Sequence, residues 1–208
     1  MKKSFAKNRN EATLLWLRDH EYEDAIDIGS RDGKLIKAIN AKNRYAIDLH
    51  NQVHQGGVQF LKHNLENGLP AKSESDAAFD LVVANDVIEH VENKSHLINQ
   101  IFKRSRRHVV ISLPNTQHYK YVVGLMRGQM SKQYVFLVPD NCDRHRWITY
   151  HKDNIRFVQG VAGLNGFSVT SYAEVFRPHY LRYLSAVIPR SMTVFNQVFM
   201  CERIAEQK

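Results

Sequence analysis

The chain has 208 residues, 43% of them hydrophobic and 24% charged, and its 29 Lys and Arg against 21 Asp and Glu leave a formal net charge of +8. These proportions predict one well-buried soluble domain and exclude disordered, collagen-like and coiled-coil chains. Cys142 and Cys201 give neither a disulfide framework nor a zinc spacing, and no apolar run reaches the roughly 20 residues that cross a bilayer. The opening Met1-Lys2-Lys3-Ser4-Phe5 runs into polar residues rather than an apolar leader, so a reduced, cytoplasmic protein is expected. The excess positive charge invites a nucleic-acid or anionic-surface reading, to be decided by where the charges fall.

In chain order, residues 8–19 carry Ala12, Leu14, Leu15 and Trp16 among charges, an amphipathic helix pattern. Ala25-Ile26-Asp27-Ile28-Gly29 reads as a strand ending in a glycine turn, followed by a helix from Lys34 to Ala41 and a second strand over 44–48. A third strand is expected over 58–65 and a fourth, fully buried, over 79–84. A helix over 94–104 leads to a fifth strand at 108–113, closed by Pro114. Residues 115–150 form a long connection rich in Tyr, His, Gln and Arg, before a helix at 152–163 and strands at 167–175 and 194–202. Strands alternating with helices at this spacing predict a parallel sheet covered on both faces.

In such a sheet, ligands sit beyond the carboxyl ends of the strands, where a glycine turn admits backbone N–H groups. Asp27-Ile28-Gly29-Ser30-Arg31-Asp32-Gly33 supplies the turn, and Asp48 closes the next strand, where an acidic side chain receives the ribose hydroxyls of an adenosine cofactor. That pairing alone fits NAD or S-adenosylmethionine. Residues 27–33 lack the Gly-x-Gly-x-x-Gly cradle of a dinucleotide. Asp27 suits the ammonium of the amino-acid tail of S-adenosylmethionine, directly or through water.

These residues, with Tyr45-Ala46-Ile47-Asp48, the run Phe79 to Val91 containing Glu89-His90-Val91, and Val110-Ile111-Ser112-Leu113-Pro114-Asn115, resemble a class I S-adenosylmethionine-dependent methyltransferase of the type 11/23 group. The resemblance implies a Rossmann-like, mostly parallel sheet of seven strands, the last antiparallel, in a single domain over 1–208. It further implies an acceptor-site lid at 115–150 and a second lid or packing helix at 176–193. It places Asp27, Gly29, Ser30 and Gly33 around the methionine part, Asp48 on the ribose, Leu49 and Leu65 beside the adenine, and Asn85 at the methionine half. Two positions depart from the family pattern. Arg31 replaces a glycine, so either its backbone avoids the left-handed region or its side chain points outward. Asn64 stands where an acidic residue meets the adenine amine, a bond its side-chain oxygen can also accept.

Methyl transfer from a sulfonium is a direct displacement that positioning can drive, and a hydroxyl acceptor gains from a general base, for which His90, His118 and His145 are the candidates. If a helical turn began at Asp86, then Asp86, Glu89 and His90 would share one face as a divalent-metal cluster, similar to the motif of small-RNA 2′-O-methyltransferases. No metal is expected, because the same Glu-His also shapes this turn in metal-free relatives. The stretches around Leu125-Met126-Arg127-Gly128 and Asp143-Arg144-His145-Arg146-Trp147 resemble a subgroup tied to glycan and small-molecule modification, where they cover the acceptor. Trp147 and Tyr150 equally suit covering the sheet edge. The segment 176–190 reads first as a helix packed beside the acceptor site, and second as an element resting on an anionic membrane. The expected activity is O- or N-methylation of a small molecule or glycan precursor. An RNA methyltransferase and a non-catalytic cofactor-binding module are the competitors, and the basic run Lys103-Arg104-Ser105-Arg106-Arg107 has a plain structural reading at a helix C-terminus.

Overall fold

The structure, a computed structural model, describes residues 1–50, 56–70, 79–129 and 145–205. Cys142, Asp143 and Arg144, and with them the middle of the expected 115–150 lid, lie outside the described residues. Eight strands form one sheet: β1 Lys2–Ala6, β2 Tyr22–Ile28, β3 Ala41–Asp48, β4 Val58–Lys62, β5 Phe79–Asn85, β6 Ser105–Pro114, β7 Phe167–Phe176 and β8 Val194–Arg203. Their order across the sheet is β1-β7-β8-β6-β5-β2-β3-β4. All pairs are parallel except those of β8, which runs antiparallel to both β6 and β7. The seven strands expected from the sequence are present, and β1 joins them at the edge beside β7, matching Lys2 to Ser171 and Ala6 to Val175. Only Ala6 of its five side chains is buried, so its apolar pattern carries almost no signal.

Alternation along the strands sorts the core into two layers. Leu81 and Val83 of β5 pack with Ala12 and Leu17 of α1 (Arg9–Leu17) and with Leu35 and Ile36 of α2 (Lys34–Ala38). Val82 and Ala84 face the other way, against Leu97, Ile101 and Phe102 of α3 (Lys94–Lys103). Val158 and Ala162 of α5 (His151–Leu164) complete that layer. Asn8 starts α1 by accepting a hydrogen bond from Glu11 N at 2.9 Å, while the Glu11 carboxylate accepts from Lys7 N at 2.7 Å, a reciprocal cap that fixes the helix entry.

Three shorter helices complete the described structure: α4 Tyr119–Met126, α6 Leu181–Leu184 and α7 Arg190–Thr193. The single packing helix expected over 176–193 is thus two four-residue helices, because Pro178 and Pro189 interrupt it. No helix among the described residues is long and apolar enough to cross a membrane. Helix α1 and the β2 and β5 termini meet where the strand order reverses beside β2, and a crevice opens there at the carboxyl end of the sheet.

Candidate active site

The turn after β2 is built by conformation before it is built by chemistry. Gly29 lies at φ 71° and donates its N–H to Ile47 O at 2.8 Å, a bond that Ser30 N shares at 3.1 Å. A Cβ on Gly29 would stand 2.8 Å from Val87 Cγ2, so both the backbone angle and the close approach of the Val87 side chain require glycine. Gly33, at φ 68°, opens α2 and donates to Ser30 O at 2.9 Å. Arg31 overturns the first of its two expected arrangements, since its backbone is left-handed at φ 51°. Its N–H donates to Asp48 Oδ2 at 2.8 Å, which anchors the strained residue, and its side chain is exposed as the second arrangement requires.

A cleft of about 480 Å³ lies over this turn, lined by Asp27, Gly29, Ser30, Asn85 and, from α1, Arg9 and Asn10. Asp27 is 3% exposed. Burial pushes its carboxyl up to about 7, and Asp48 and Asp32 add to the shift while Arg9 opposes it. Asn85 donates its amide to Thr13 Oγ1 at 3.2 Å, which leaves Asn85 Oδ1 buried without a partner; Ser30 Oγ is in the same state. These unmet groups fit the methionine tail of S-adenosylmethionine: Asp27 and Asn85 Oδ1 accept from an ammonium, and the Ser30 hydroxyl donates to a carboxylate.

At the adenosine end, Asp48 accepts from Arg31 N through one oxygen and from His50 N at 3.2 Å through the other, and each oxygen keeps a lone pair for a ribose hydroxyl. Leu49 is 48% exposed and Leu65 is buried. Asn64 spends its side-chain oxygen on Glu66 N at 3.0 Å, capping the 3-10 turn Leu65–Asn67, so an adenine amine would share that oxygen. Asp48, Leu49, Asn64 and Leu65 do not line the 480 Å³ cleft, which encloses only the methionine half.

The expected metal face does not form as drawn. Asp86 lies at φ 52°, so the helical turn begins later, as a 3-10 turn over Ile88–His90. Asp86 instead pairs with Arg9 and accepts from Ser112 Oγ at 2.6 Å and Asn196 Nδ2 at 2.7 Å. The place beside Glu89 and His90 is taken by His145, and one potential ligand atom from each of the three lies within 4.8 Å of the others. The rings of His90 and His145 meet edge to face at 4.6 Å. Glu89 is 1% exposed, and among the described residues its carboxylate oxygens have no hydrogen-bond partner from another residue. Burial, then Asp86, pushes its carboxyl up to about 8 against the pull of its own backbone N–H, His90 and Arg9.

The loop carrying His145 is fastened to this turn. Arg146 N donates to Glu89 O at 2.8 Å, and Arg146 Nε reaches His90 O at 3.0 Å and the Glu66 carboxylate at 3.1 Å. Trp147 Nε1 donates to Val91 O at 2.8 Å, and Lys94 Nζ sits 3.6 Å from the indole centre. The third histidine stands apart. His118 caps α4 and packs against Tyr119, Tyr121 and Phe195. Burial lowers it to about 4, Lys120 adds to that, and a backbone group of Arg177 opposes it. A base that weak is ill matched to proton removal near neutral pH.

Arg9, Asn10 and Thr13 belong to the site and are not singled out by the sequence, where α1 is an ordinary amphipathic helix. A helix cap, Asn8, followed at once by an Arg and an Asn in the first turn was the available signal. The basic run divides differently from expectation: α3 ends at Lys103, and Arg106 and Arg107 lie in β6 at the opposite end of the sheet from the cleft. There Arg106 pairs with Asp24 and Asp80, and Arg107 donates to Glu21 O at 3.3 Å.

Comparison with known proteins shows the family and the fold. A family model described as a methyltransferase domain matches residues 2–171, and the chain belongs to that family, the class I S-adenosylmethionine-dependent methyltransferases. A curated relative, the bifunctional methionine biosynthesis protein MetXA/MetW of Rhodopirellula baltica, is 29% identical over 105 residues, covering 43% of this chain and 16% of the relative. The chain therefore matches about a sixth of that protein's length. The fold is shared with the methyltransferase domain of bacterial CtHen1-C, at TM-score 0.62 and 16% identity over 96% of this chain and 98% of that one. It is shared also with magnesium protoporphyrin IX methyltransferase (ChlM) from Synechocystis PCC 6803 with bound SAH, at TM-score 0.58 and 15% identity over 93% and 81%.

Proposed function

We propose that this chain transfers the methyl group of S-adenosylmethionine to oxygen or nitrogen of a small molecule or glycan precursor. The observation that carries the reading is the cleft lined by the buried carboxyl of Asp27 together with Ser30 Oγ and Asn85 Oδ1, both buried without a hydrogen-bond partner. When bound there, the cofactor supplies an activated methyl group. The chain's own residues do the rest: Asp27 and Asn85 hold the tail, Asp48 orients the ribose, and the Arg9–Asp86 pair fixes the wall nearest the acceptor. Positioning of this kind lowers the barrier of a displacement without a strong base. Beside it Phe195 lies 5.3 Å from His118 and 5.2 Å from the Arg177 guanidinium, an aromatic and cationic surround suited to a polar or anionic acceptor.

A filtered extract below 1 kDa, a lipid extract and total RNA, each incubated with methyl-labelled cofactor, test the acceptor class. Label in the small-molecule or lipid fraction and none in RNA is expected, and label in RNA alone overturns the reading. Calorimetry with the cofactor and with S-adenosylhomocysteine tests the enzyme itself; absence of heat at millimolar ligand refutes it and leaves a non-catalytic module.

The grouping of Glu89, His90 and His145 favours one second reading, metal-assisted transfer. A carboxylate and two imidazoles suit a divalent transition ion or Mn²⁺, which would neutralise the buried Glu89 and polarise an acceptor hydroxyl. Mn²⁺ binding by calorimetry, lost in Glu89→Gln and His145→Ala, supports it; equal heats for all three proteins exclude it.

A further inference from the structure

The helices at the carboxyl end of the sheet gather several exposed apolar side chains on neighbouring elements. Helix α4 has no buried residue, and Leu125 and Met126 on it are 64% and 82% exposed. Across from it, Tyr180, Tyr183 and Val187 are 59%, 67% and 82% exposed. The two segments form one cap, because Tyr119 of α4 packs on a small core of Phe176, Leu181 and Val194, and α7 touches both α4 and α6. Monomeric proteins rarely leave so much apolar surface open without a use.

The two segments themselves carry charges of one sign. Residues 119–129 and 176–193 contain Lys120, Arg127, Arg177, Arg182 and Arg190, and not one Asp or Glu. Arg190 is committed to Glu174 at 2.9 Å. Arg182 and Arg177 lie against the rings of Tyr183 and Phe195, at 4.4 and 5.2 Å, so their heads stay near the apolar surface. Exposed aliphatic side chains, tyrosines at their border and unopposed guanidinium groups are the components by which proteins rest on an anionic bilayer.

We infer that this cap docks on an anionic phospholipid surface and holds the acceptor side of the cleft against it. The inference extends the proposed function, since an acceptor methylated there would be one held at the membrane, such as a lipid-linked precursor. Charge complementarity selects the lipid over a second copy of the chain, whose identical cap would bring like charges together.

Sedimentation of the full chain with phosphatidylcholine vesicles, with and without one-third phosphatidylglycerol, tests the docking independently of catalysis. We expect binding at least about tenfold tighter to the anionic vesicles, weakening as salt rises. The variants Met126→Asp/Val187→Asp and Arg127→Glu/Arg182→Glu should each lose that binding while keeping wild-type heats with S-adenosylhomocysteine. Equal binding to neutral and anionic vesicles, or none to either, overturns the inference, as does a wild-type dimer that both double variants dissolve. A chain that binds vesicles and gives no cofactor heat would instead refute the enzyme reading and leave the docking intact.

Discussion

The two ends of the cleft are built on opposite terms. The methionine end is closed, strained and charged: left-handed Gly29 and Arg31, buried Asp27, and the Arg9–Asp86 pair. The end proposed to face the acceptor is short helices with exposed apolar side chains held by one small core. A fixed cofactor demands fixed geometry, whereas in the proposed function acceptor specificity falls to elements that add little to the stability of the sheet. Substitutions at the two ends should therefore fail in different ways.

The largest effect should come from Glu174, fully buried under the cap and accepting from Lys3, His151, Tyr172 and Arg190. Glu174→Ala should cost about 3 kcal/mol in urea unfolding, because it removes the fully buried carboxylate on which His151, Tyr172, Lys3 and Arg190 converge. Burial alone would raise this carboxyl, but His151, Lys3 and Arg190 outweigh it and hold it near 2. A depressed carboxyl stabilises the fold above its unfolded value, so this contribution should be present at pH 6 and fade as the pH falls from about 4.5 toward 2. In Glu174→Ala that segment of the acid-unfolding curve should flatten.

At the methionine end, Asp27→Asn should weaken cofactor binding by about a hundredfold in calorimetry, the worth of a buried charged hydrogen bond. The same variant should unfold at a higher temperature without cofactor, because a carboxyl raised to about 7 destabilises the fold from about pH 4 upward. Cofactor affinity of the wild type should rise about tenfold from pH 5.5 to 7 as Asp27 ionises, and the Asn variant should show no such slope. Gly29→Ala should cost about 2 kcal/mol, and Val87→Ala should relieve only the steric part, since the positive φ persists. Leu125→Ser, on the exposed cap, should change stability by less than about 0.5 kcal/mol. A large loss there would mean that the cap is part of the core, and the contrast between the two ends would fall.

Legibility from sequence follows the same division. The turn after β2, Asp48 at the end of β3 and the buried run of β5 were readable because local pattern determines them. What escaped depends on contacts between distant segments. His145 reaches Glu89 and His90 through a loop fastened by Arg146 and Trp147, and nothing near His145 in sequence signals that. Asp86 leaves the expected helical face because one positive φ turns it toward Arg9, a conformation sequence assigns to glycine or asparagine first. Tyr180, Tyr183 and Val187 looked like a packing face, since amphipathic spacing cannot distinguish a buried stripe from one left exposed.

Strand β1 ties the order of assembly to the completion of the cleft. It precedes every other strand of the sheet, yet its partner β7 follows all of them but β8. Lys2 to Ala6 pair with β7, so that pairing holds the strand leading into α1, which carries Arg9, Asn10 and Thr13 beside Asp27 and Asn85. Pairing over such a separation in sequence is slow to form. The wall of the cleft that α1 supplies is thus completed only when the first and seventh strands meet.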